Sequence, residues 1–251
     1  MTSSNLQDCR ILLLREATDN QDLIEQIELQ QGSTMQWTAL EIVNHPDLNP
    51  TETEGLLNEA DCCIFISKNA AKRVLPWIET IKQKQLIAIG KGTEQCLLEL
   101  GIKAVICPAK ANTEALLDLP QLQQLKNKNL LVLKGSLGRE KLQTELVKRG
   151  ANVSHVDLYQ RLSAKMTLNQ AKQIITFDPN WIQLTSEASA VSLDKANQRF
   201  KLFNNQQIKV LTVSNRLKEK ITRMGYSKVF NANSIYNDDN LKVLQNVQGQ
   251  R

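Results

Sequence analysis

Short apolar runs alternate with helical patterns along the chain, and this alternation constrains the fold more than any other feature. The runs are rich in Leu, Ile and Val, which is typical of strands buried on both faces of a sheet. They are Ile11–Leu14, Cys62–Ile66, Leu86–Ile89, Leu130–Leu133, Trp181–Leu184 and Lys209–Val213. Because strands and helices alternate along the chain, the sequence predicts an α/β fold with parallel sheets of the doubly wound kind, flanked by helices.

The segments between the runs complete this prediction. Helices are expected over Asp22–Gln31, Asn69–Lys82, Thr113–Leu119 and Arg139–Arg149, and after Gly90, Ser186 and Ser214. Val105–Ile106 and Val229–Phe230 predict two more short strands, and the alternating stretch Val153–Tyr159 predicts another.

The pattern then repeats itself, which indicates an internal duplication. Asp61–Ser67 and Asn180–Ser186 occupy equivalent places 119 residues apart, and Gly101 and Gly225 lie 124 apart. A chain of 251 residues is also the right length for two domains. The sequence therefore predicts two similar domains, without saying how the chain is shared between them.

Composition excludes several classes of protein. No apolar stretch is long enough to cross a bilayer, and the polar start, Met1–Arg10, lacks a signal core, so a cytoplasmic protein is expected. The five cysteines form no C-x-x-C pair, and the two histidines have no ligand spacing, so we expect free thiols and no metal site.

Charge is unevenly distributed. Residues 1–44 carry a net charge of −5 and residues 161–251 carry +8, so the two ends would suit packing into one domain. No run of five like charges occurs, and neither a nucleic-acid partner nor a membrane partner is expected.

The predicted strand ends share a chemistry that suits an anion. Ligands of open α/β sheets bind beyond the carboxyl ends of the strands, where helix N-termini present backbone N–H groups. The residues there are mostly small, hydroxylated or cationic: Arg15, Ser67, Lys68, Asn69, Gly90, Thr93, Lys134, Gly135, Thr185, Ser186, Ser214 and Arg216. Helix capping alone could explain any one of these turns. Six similar turns at the strand ends favour an anion-binding site.

Other chemistries find little support. Gly90–Thr93 lacks both the Walker pattern and a full dinucleotide fingerprint, and no Ser-His-Asp set or catalytic carboxylate pair can be assembled. Tyr159 ends its alternating stretch near mid-chain and is either a packing residue or a functional one.

These motifs, in this order, resemble those of the uroporphyrinogen-III synthase family. The resemblance runs from about residue 10 to 244 and rests on five stretches: residues 61–70, 87–93, 133–140, 150–161 and 184–191. It implies a crossed fold in which 1–42 plus 164–251 form one α/β domain and 46–158 the other. The segments 40–46 and 156–164 would be linkers that form a two-stranded hinge.

The resemblance also implies a reaction. The linear tetrapyrrole hydroxymethylbilane would lose its hydroxyl group and close to uroporphyrinogen III, with ring D inverted and water lost, without a cofactor. The residues at the strand ends would bind the substrate carboxylates, and Tyr159 would be the proton donor. A monomer is implied, with transient contact with the preceding pathway enzyme.

Two other classes remain open at this stage. A non-enzymatic two-lobed sensor of an anionic ligand would use the same turns, although no DNA-binding module is left over. A two-lobed transferase would need a carboxylate pair for a metal, and only Asp238–Asp239, near the C-terminus, offers one.

Overall fold

The computed structural model describes residues 6–15, 17–136, 141–234 and 236–248. They form two compact units. Unit 1 combines Met1–Glu41 with Leu162–Arg251, and unit 2 is Ile42–Arg161. The chain therefore enters unit 2 once and returns once.

The strands, numbered along the described chain, are β1 (Arg10–Leu13), β2 (Ser33–Gln36), β3 (Leu40–Asn44), β4 (Cys62–Phe65), β5 (Gln85–Ala88), β6 (Asn129–Gly135), β7 (Asn152–Ser163), β8 (Trp181–Leu184), β9 (Lys209–Thr212) and β10 (Lys228–Asn231). The α-helices are α1 (Ala17–Leu29), α2 (Pro50–Glu59), α3 (Lys68–Ala71), α4 (Ile78–Ile81), α5 (Lys91–Glu99), α6 (Thr113–Leu117), α7 (Lys141–Lys148), α8 (Leu168–Phe177), α9 (Glu187–Phe200), α10 (Asn215–Arg223) and α11 (Asn237–Gln248).

Unit 1 is built on a five-stranded parallel sheet in the order β10-β9-β8-β1-β2. Alternate residues of each strand face opposite layers of helices, as the two-residue period of a strand requires. Leu12 and Ile182 pack with α8, α9 and α10, whereas Ile11 and Trp181 pack with α1 and α11. Both faces of the sheet are therefore buried.

Unit 2 has the sheet order β3-β7-β6-β4-β5, and β4, β5, β6 and β7 pair in parallel. Phe65 and Leu133 lie on the face covered by α2, α3 and α5. Ile64 and Val132 lie on the face covered by α6 and α7.

Each sheet reverses its winding at one point. In unit 1 the chain runs outward from β1 to β2 on one side and from β8 through β9 to β10 on the other. The corresponding reversal in unit 2 lies between β4 and β6. Such switch points leave a crevice at the carboxyl ends of the strands, which is where open α/β sheets bind ligands.

The predicted fold class is confirmed, and several predicted elements need correction. The single helix expected over Asn69–Lys82 is wrong, because α3 ends at Ala71 and a 3₁₀ turn at Leu75–Trp77 precedes α4. Pro76 supplies no backbone N–H and interrupts a continuous helix. Val105–Ile106 contributes only an isolated bridge, from Ile106 to Ile87.

Some elements have no counterpart in the sequence prediction. They are β2, α2, α8 and α11, and Asp238–Asp239 lies in the first turn of α11 rather than in an irregular end. The predicted helix Arg139–Arg149 starts in residues outside the described ranges, and its described part is α7. Within the described ranges, no helix is long and apolar enough to span a bilayer.

Candidate active site

Tyr159 lies at an irregularity in the pairing of β6 with β7. Lys134 is opposite Asp157 and Gly135 is opposite Tyr159, so Leu158 has no partner on β6. A strand that carries an extra residue bends and re-aims the side chains beyond it. Leu158 and Tyr159, although adjacent in sequence, consequently both pack on the face covered by α2, α3 and α5.

The tyrosine is held at the switch point of unit 2. Its side chain is buried, with 4% of its surface exposed, and its hydroxyl lies 3.0 Å from Ser67 Oγ. A Cβ added to Gly135 would lie 2.6 Å from Cζ of the ring. Glycine at this position therefore leaves the space that the ring occupies, between the ends of β4 and β6.

Ser67 has a second hydrogen bond that bears on the direction of the first. As the N-cap of α3, its Oγ accepts a hydrogen bond from the backbone N–H of Ala70, at 3.1 Å. The Ser67 proton is then available for the Tyr159 oxygen, although either hydroxyl can be the donor. In the arrangement where Ser67 donates, the phenol keeps its own proton for a third group.

Two arginines flank the same ring. Arg73 Cζ lies 5.3 Å and Arg161 Cζ 5.6 Å from the Tyr159 ring centroid, which is cation–π range. Neither arginine is among the site residues predicted from the sequence. No local pattern could have identified Arg73, which meets the ring only in the folded unit.

The other predicted residues of unit 2 at this end of the sheet cluster around α3 and α5. Lys68 extends over Gly92, where an added Cβ would lie 2.5 Å from Lys68 Cε. Gly90 is the N-cap of α5, and Thr93 in its first turn is 4% exposed. Asn69 is in the first turn of α3. Because α3 and α5 follow the neighbouring strands β4 and β5, these positions lie with Ser67 at the carboxyl end of the sheet.

Lys134 does not join this group. It forms an ion pair with Asp157 at 2.7 Å, and both side chains are largely buried. Lys134 also lines a cavity of about 320 Å³ with Ile66, Val132 and Gln143. Ile66 and Val132 pack on the α6 and α7 side, so Lys134 and Tyr159 lie on opposite faces of the sheet.

The two histidines of the chain share a small cavity elsewhere in unit 2. His45 and His155 line a space of about 200 Å³ together with Asp47 and Glu52. His45 Nδ1 accepts a hydrogen bond from the Asp47 backbone N–H at 3.3 Å. Across the described chain, no three His, Cys, Asp or Glu side chains are grouped so that they could hold a metal ion.

Unit 1 carries a separate cavity at the carboxyl ends of β8 and β9. Its volume is about 250 Å³, and four predicted residues line it: Thr185, Ser186, Ser214 and Arg216. Ser186 and Ser214 are the N-caps of α9 and α10, and their hydroxyls accept from the N–H groups of Ser189 and Leu217. Two helix N-termini, each with positive partial charge, therefore border one cavity.

Charged side chains that the sequence analysis missed complete this cavity. They are Glu187, Glu219, Lys220 and Arg223. Lys220 pairs with Glu187 at 2.9 Å, and this hydrogen bond lowers the pKa of the Glu187 carboxyl, as do the charges of Lys220 and Arg216. Within the described ranges Arg216 forms no ion pair, and its guanidinium borders the cavity beside Glu187.

Arg15 lies apart from this cavity. It follows β1, whose end is next to that of β8 at the switch point of unit 1. Its side chain is half-buried and is not among the residues that line the cavity. The structure therefore brings eleven of the thirteen predicted residues to two places, and leaves Arg15 and Lys134 outside both.

Comparison with known proteins identifies the family of this chain. The family model described as uroporphyrinogen-III synthase HemD matches residues 21–238. The uroporphyrinogen-III synthase of Proteus mirabilis is 30% identical over 164 residues, covering 61% of this chain and 80% of that protein. The enzyme of Escherichia coli K12 is 25% identical over 199 residues, covering 75% of this chain and 80% of that protein.

Solved structures show the same fold. Uroporphyrinogen-III synthetase from Helicobacter pylori 26695 matches with a TM-score of 0.62 at 17% identity, covering 95% of this chain and 99% of that one. A mutant uroporphyrinogen III synthase from Thermus thermophilus matches with a TM-score of 0.57 at 12% identity, covering 97% and 100%. Because the family model spans most of its length, this chain belongs to the uroporphyrinogen-III synthase family.

Proposed function

We propose that this enzyme closes hydroxymethylbilane to uroporphyrinogen III and that Tyr159 supplies the proton that the departing hydroxyl group needs. The observation that carries the role of Tyr159 is its phenol, held against Gly135 at a switch point with its oxygen 3.0 Å from Ser67 Oγ. A phenol remains protonated at neutral pH and is a stronger acid than the hydroxyl of Ser or Thr.

The proposed sequence of steps balances in atoms and charge. The Tyr159 O–H donates its proton to the hydroxymethyl oxygen, the C–O bond breaks, and water departs, which leaves an azafulvenium cation on ring A and a phenolate on Tyr159. The substituted carbon of ring D attacks this cation, and the spiro intermediate rearranges with inversion of ring D. Closure and rearomatisation release one proton, which restores the phenol, so the net change is loss of one water.

The binding role falls to hydroxyl and N–H donors. The substrate carries eight carboxylates, and donors at several turns can share them without burying many cations. In unit 1 we assign this role to Thr185, Ser186, Ser214 and Arg216, because they line one cavity beside two helix N-termini. In unit 2 we assign it to Ser67, Lys68, Asn69, Gly90, Thr93 and Gly135.

Arg15 and Lys134 lie outside these two groups of proposed substrate ligands. Arg15 lies at the carboxyl end of β1, beside the switch point of unit 1, which is compatible with contact to a carboxylate. Lys134 is already paired with Asp157 at 2.7 Å, and a substrate carboxylate would have to compete with that partner.

The organisation of the protein is part of the same proposal. One functional domain would combine 1–42 with 164–251, and the other would be 46–158. Linkers at 40–46 and 156–164 would join them. The boundaries between the compact units, at Glu41/Ile42 and Arg161/Leu162, fall inside both linkers and support this division. We further propose a cytoplasmic monomer that contacts the preceding pathway enzyme transiently.

The test is incubation of the purified protein with freshly prepared hydroxymethylbilane, without added metal or nucleotide. The expected product is the type III isomer, separated from type I by chromatography after oxidation to porphyrins. Type I alone, as spontaneous closure gives, would contradict the activity. Binding of hydroxymethylbilane without turnover would instead favour a sensor of anionic ligands.

A further inference from the structure

Arg73 contacts the proposed proton donor and lies outside the predicted site. It follows α3 by two residues, and its guanidinium donates three hydrogen bonds. Nε–H donates to Asn44 Oδ1 at 3.1 Å, one Nη to the carbonyl of Asn69 at 3.1 Å, and the other to the carbonyl of Ile42 at 2.8 Å. Its Cζ lies 5.3 Å from the Tyr159 ring centroid.

These hydrogen bonds fix the guanidinium in one place. The planar fork of arginine matches several acceptors at once, so little side-chain freedom remains when all three are bound. One acceptor, Asn69, belongs to the short helix whose N-cap, Ser67, reaches the phenol oxygen. Arg73 contacts the face of the ring while Ser67 holds its hydroxyl, and Gly135 leaves room for the ring.

The charge of Arg73 has no acidic partner within the described ranges. Its hydrogen-bond acceptors are all neutral oxygens, and the side chain is half-buried. A cation over an aromatic ring is attracted to the ring face, and the attraction grows when the ring takes on negative charge. Tyr159 would take on such charge as it gives up its proton, so Arg73 would favour that step more than the resting state.

We propose that Arg73 is a positioning residue for Tyr159, which holds the phenol in place and stabilises the negative charge that the phenol develops. This inference rests on the proposed function, in which Tyr159 is the proton donor. It assigns to Arg73 an effect on turnover that passes through Tyr159. A direct ligand of the substrate carboxylates would act on substrate binding instead.

The experiment is a double-mutant cycle that combines Arg73→Gln with Tyr159→Phe, with kcat and KM measured for type III formation. Alone, Arg73→Gln should lower kcat about 10-fold, the upper part of what a partly desolvated cation–ring contact supplies. KM should stay within about twofold of the parent, because ground-state binding is not involved. In the Tyr159→Phe background, Arg73→Gln should lower kcat by no more than about twofold.

Two further variants separate position from charge and from stability. Arg73→Lys keeps the charge and loses the fork, so its kcat should lie between those of the parent and Arg73→Gln. Arg149→Gln is the matched control in the same unit, because Arg149 Nη1 donates to the carbonyls of Leu117 and Leu122 and does not contact Tyr159. It should lower the melting temperature and leave kcat within about twofold.

The outcomes separate this proposal from the one on which it rests. Equal losses of kcat in both backgrounds would overturn it, as would a rise in KM at unchanged kcat. If Arg73→Gln melts below the assay temperature, Arg73→Lys replaces it in the cycle. Equal losses of kcat on adding Arg73→Lys to the parent and to Tyr159→Phe would then overturn the proposal. Failure of the proposed function gives another pattern, in which the parent forms no type III isomer or Tyr159→Phe keeps the parental rate.

Discussion

The switch point of unit 2 and the cavity of unit 1 each lie at the carboxyl ends of the strands in their own sheet. The two places differ in chemistry. Unit 2 holds one buried phenol, 4% exposed, among Ser67, Gly135 and Arg73. Unit 1 has an open cavity of about 250 Å³ with two hydroxyl-capped helix N-termini and several charged side chains. Four strands are arranged alike in the two sheets, β9-β8-β1-β2 and β7-β6-β4-β5, so a similar arrangement does not dictate a shared task; the residues after each strand decide the chemistry.

This difference favours proton transfer at the switch point of unit 2 and carboxylate binding in the cavity of unit 1. A buried, tightly packed donor suits a proton transfer that requires fixed geometry, and a cavity lined by cations and helix N-termini suits the capture of carboxylates. Changes near Tyr159 should then act on kcat, and changes in the cavity of unit 1 should act on KM.

Gly135→Ala should have the largest effect. An added Cβ would lie 2.6 Å from the Tyr159 ring, so the ring must move, and displacement of about 1 Å can cost on the order of 100-fold in rate. Overpacking should also cost about 1–3 kcal/mol of stability. The measurement is kcat, with thermal melting beside it.

Gly55→Ala is the matched control for that variant. A Cβ at Gly55, in α2 of the same unit, meets nothing within 4 Å. Alanine in the helix interior should stabilise the protein by about 0.5–1 kcal/mol and leave kcat unchanged. Parental turnover by Gly135→Ala would show that the position of the ring is not critical.

Arg216→Gln should act on binding in unit 1. Its guanidinium borders the cavity without an ion-pair partner in the described ranges, so KM should rise by about 10-fold, the low end of the roughly 1.5–3 kcal/mol that a hydrogen bond to a charged group supplies. The kcat value should not change. Lys218→Gln is the control on the same helix, because Lys218 does not line this cavity. A loss of kcat for Arg216→Gln would place unit 1 in the chemistry as well.

Thr93→Ala and Thr185→Ala should each have a smaller effect, one in each unit. If many donors share the substrate carboxylates, loss of one hydroxyl should cost about 1 kcal/mol, or roughly fivefold in kcat/KM. Thr93 is 4% exposed, and Thr185 lines the unit 1 cavity. Complete loss of activity in either variant, with the fold intact, would contradict distributed binding.

Buried thiols should lower the stability of the protein at alkaline pH, and the two units should contribute unequally to that loss. Activity at neutral pH should not depend on them. Burial raises the pKa of Cys9 in unit 1, and of Cys62 and Cys63 in unit 2, from 9.0 to about 12. Above pH 9.0 these thiols ionise in the unfolded chain and stay protonated in the native one, so stability falls as pH rises from 9.0 towards 12.

Melting temperatures at pH 7.5 and pH 10 would measure this effect. The fall between the two pH values should be smaller in Cys62→Ala/Cys63→Ala than in the parent, and Cys9→Ala should reduce it less because unit 1 contributes one such thiol. An unchanged fall in both variants would show that other groups control alkaline unfolding.

The sequence predicted the two sheets well because their strands carry a strong local signal. Cys62–Phe65 and Trp181–Leu184 are buried on both faces, so each is apolar at almost every position. By contrast, β2 (Ser33–Gln36) is half-exposed and polar, and its pairing with β1 stabilises it. Pairing between distant segments leaves no periodic trace in such a short strand.

The candidate site was predictable only in part, for a related reason. Ser67 and Ser214 follow buried strands and precede helices, so their capping role can be read from local sequence. The contacts of Tyr159 with Ser67 and Arg73 join residues 92 and 86 positions apart. The irregular pairing at Leu158 also depends on β6, so neither feature is encoded in any one stretch.

Turnover by Tyr159→Phe is the most direct measure of whether Tyr159 in unit 2 is the proton donor of this enzyme. The initial rate of type III formation should be measured at saturating hydroxymethylbilane, beside the parent and Arg216→Gln. We expect Tyr159→Phe to lower kcat by about 10- to 100-fold, the low end of what a positioned proton donor supplies, with little change in melting temperature. A kcat within about twofold of the parent would contradict the claim and leave Tyr159 a packing residue.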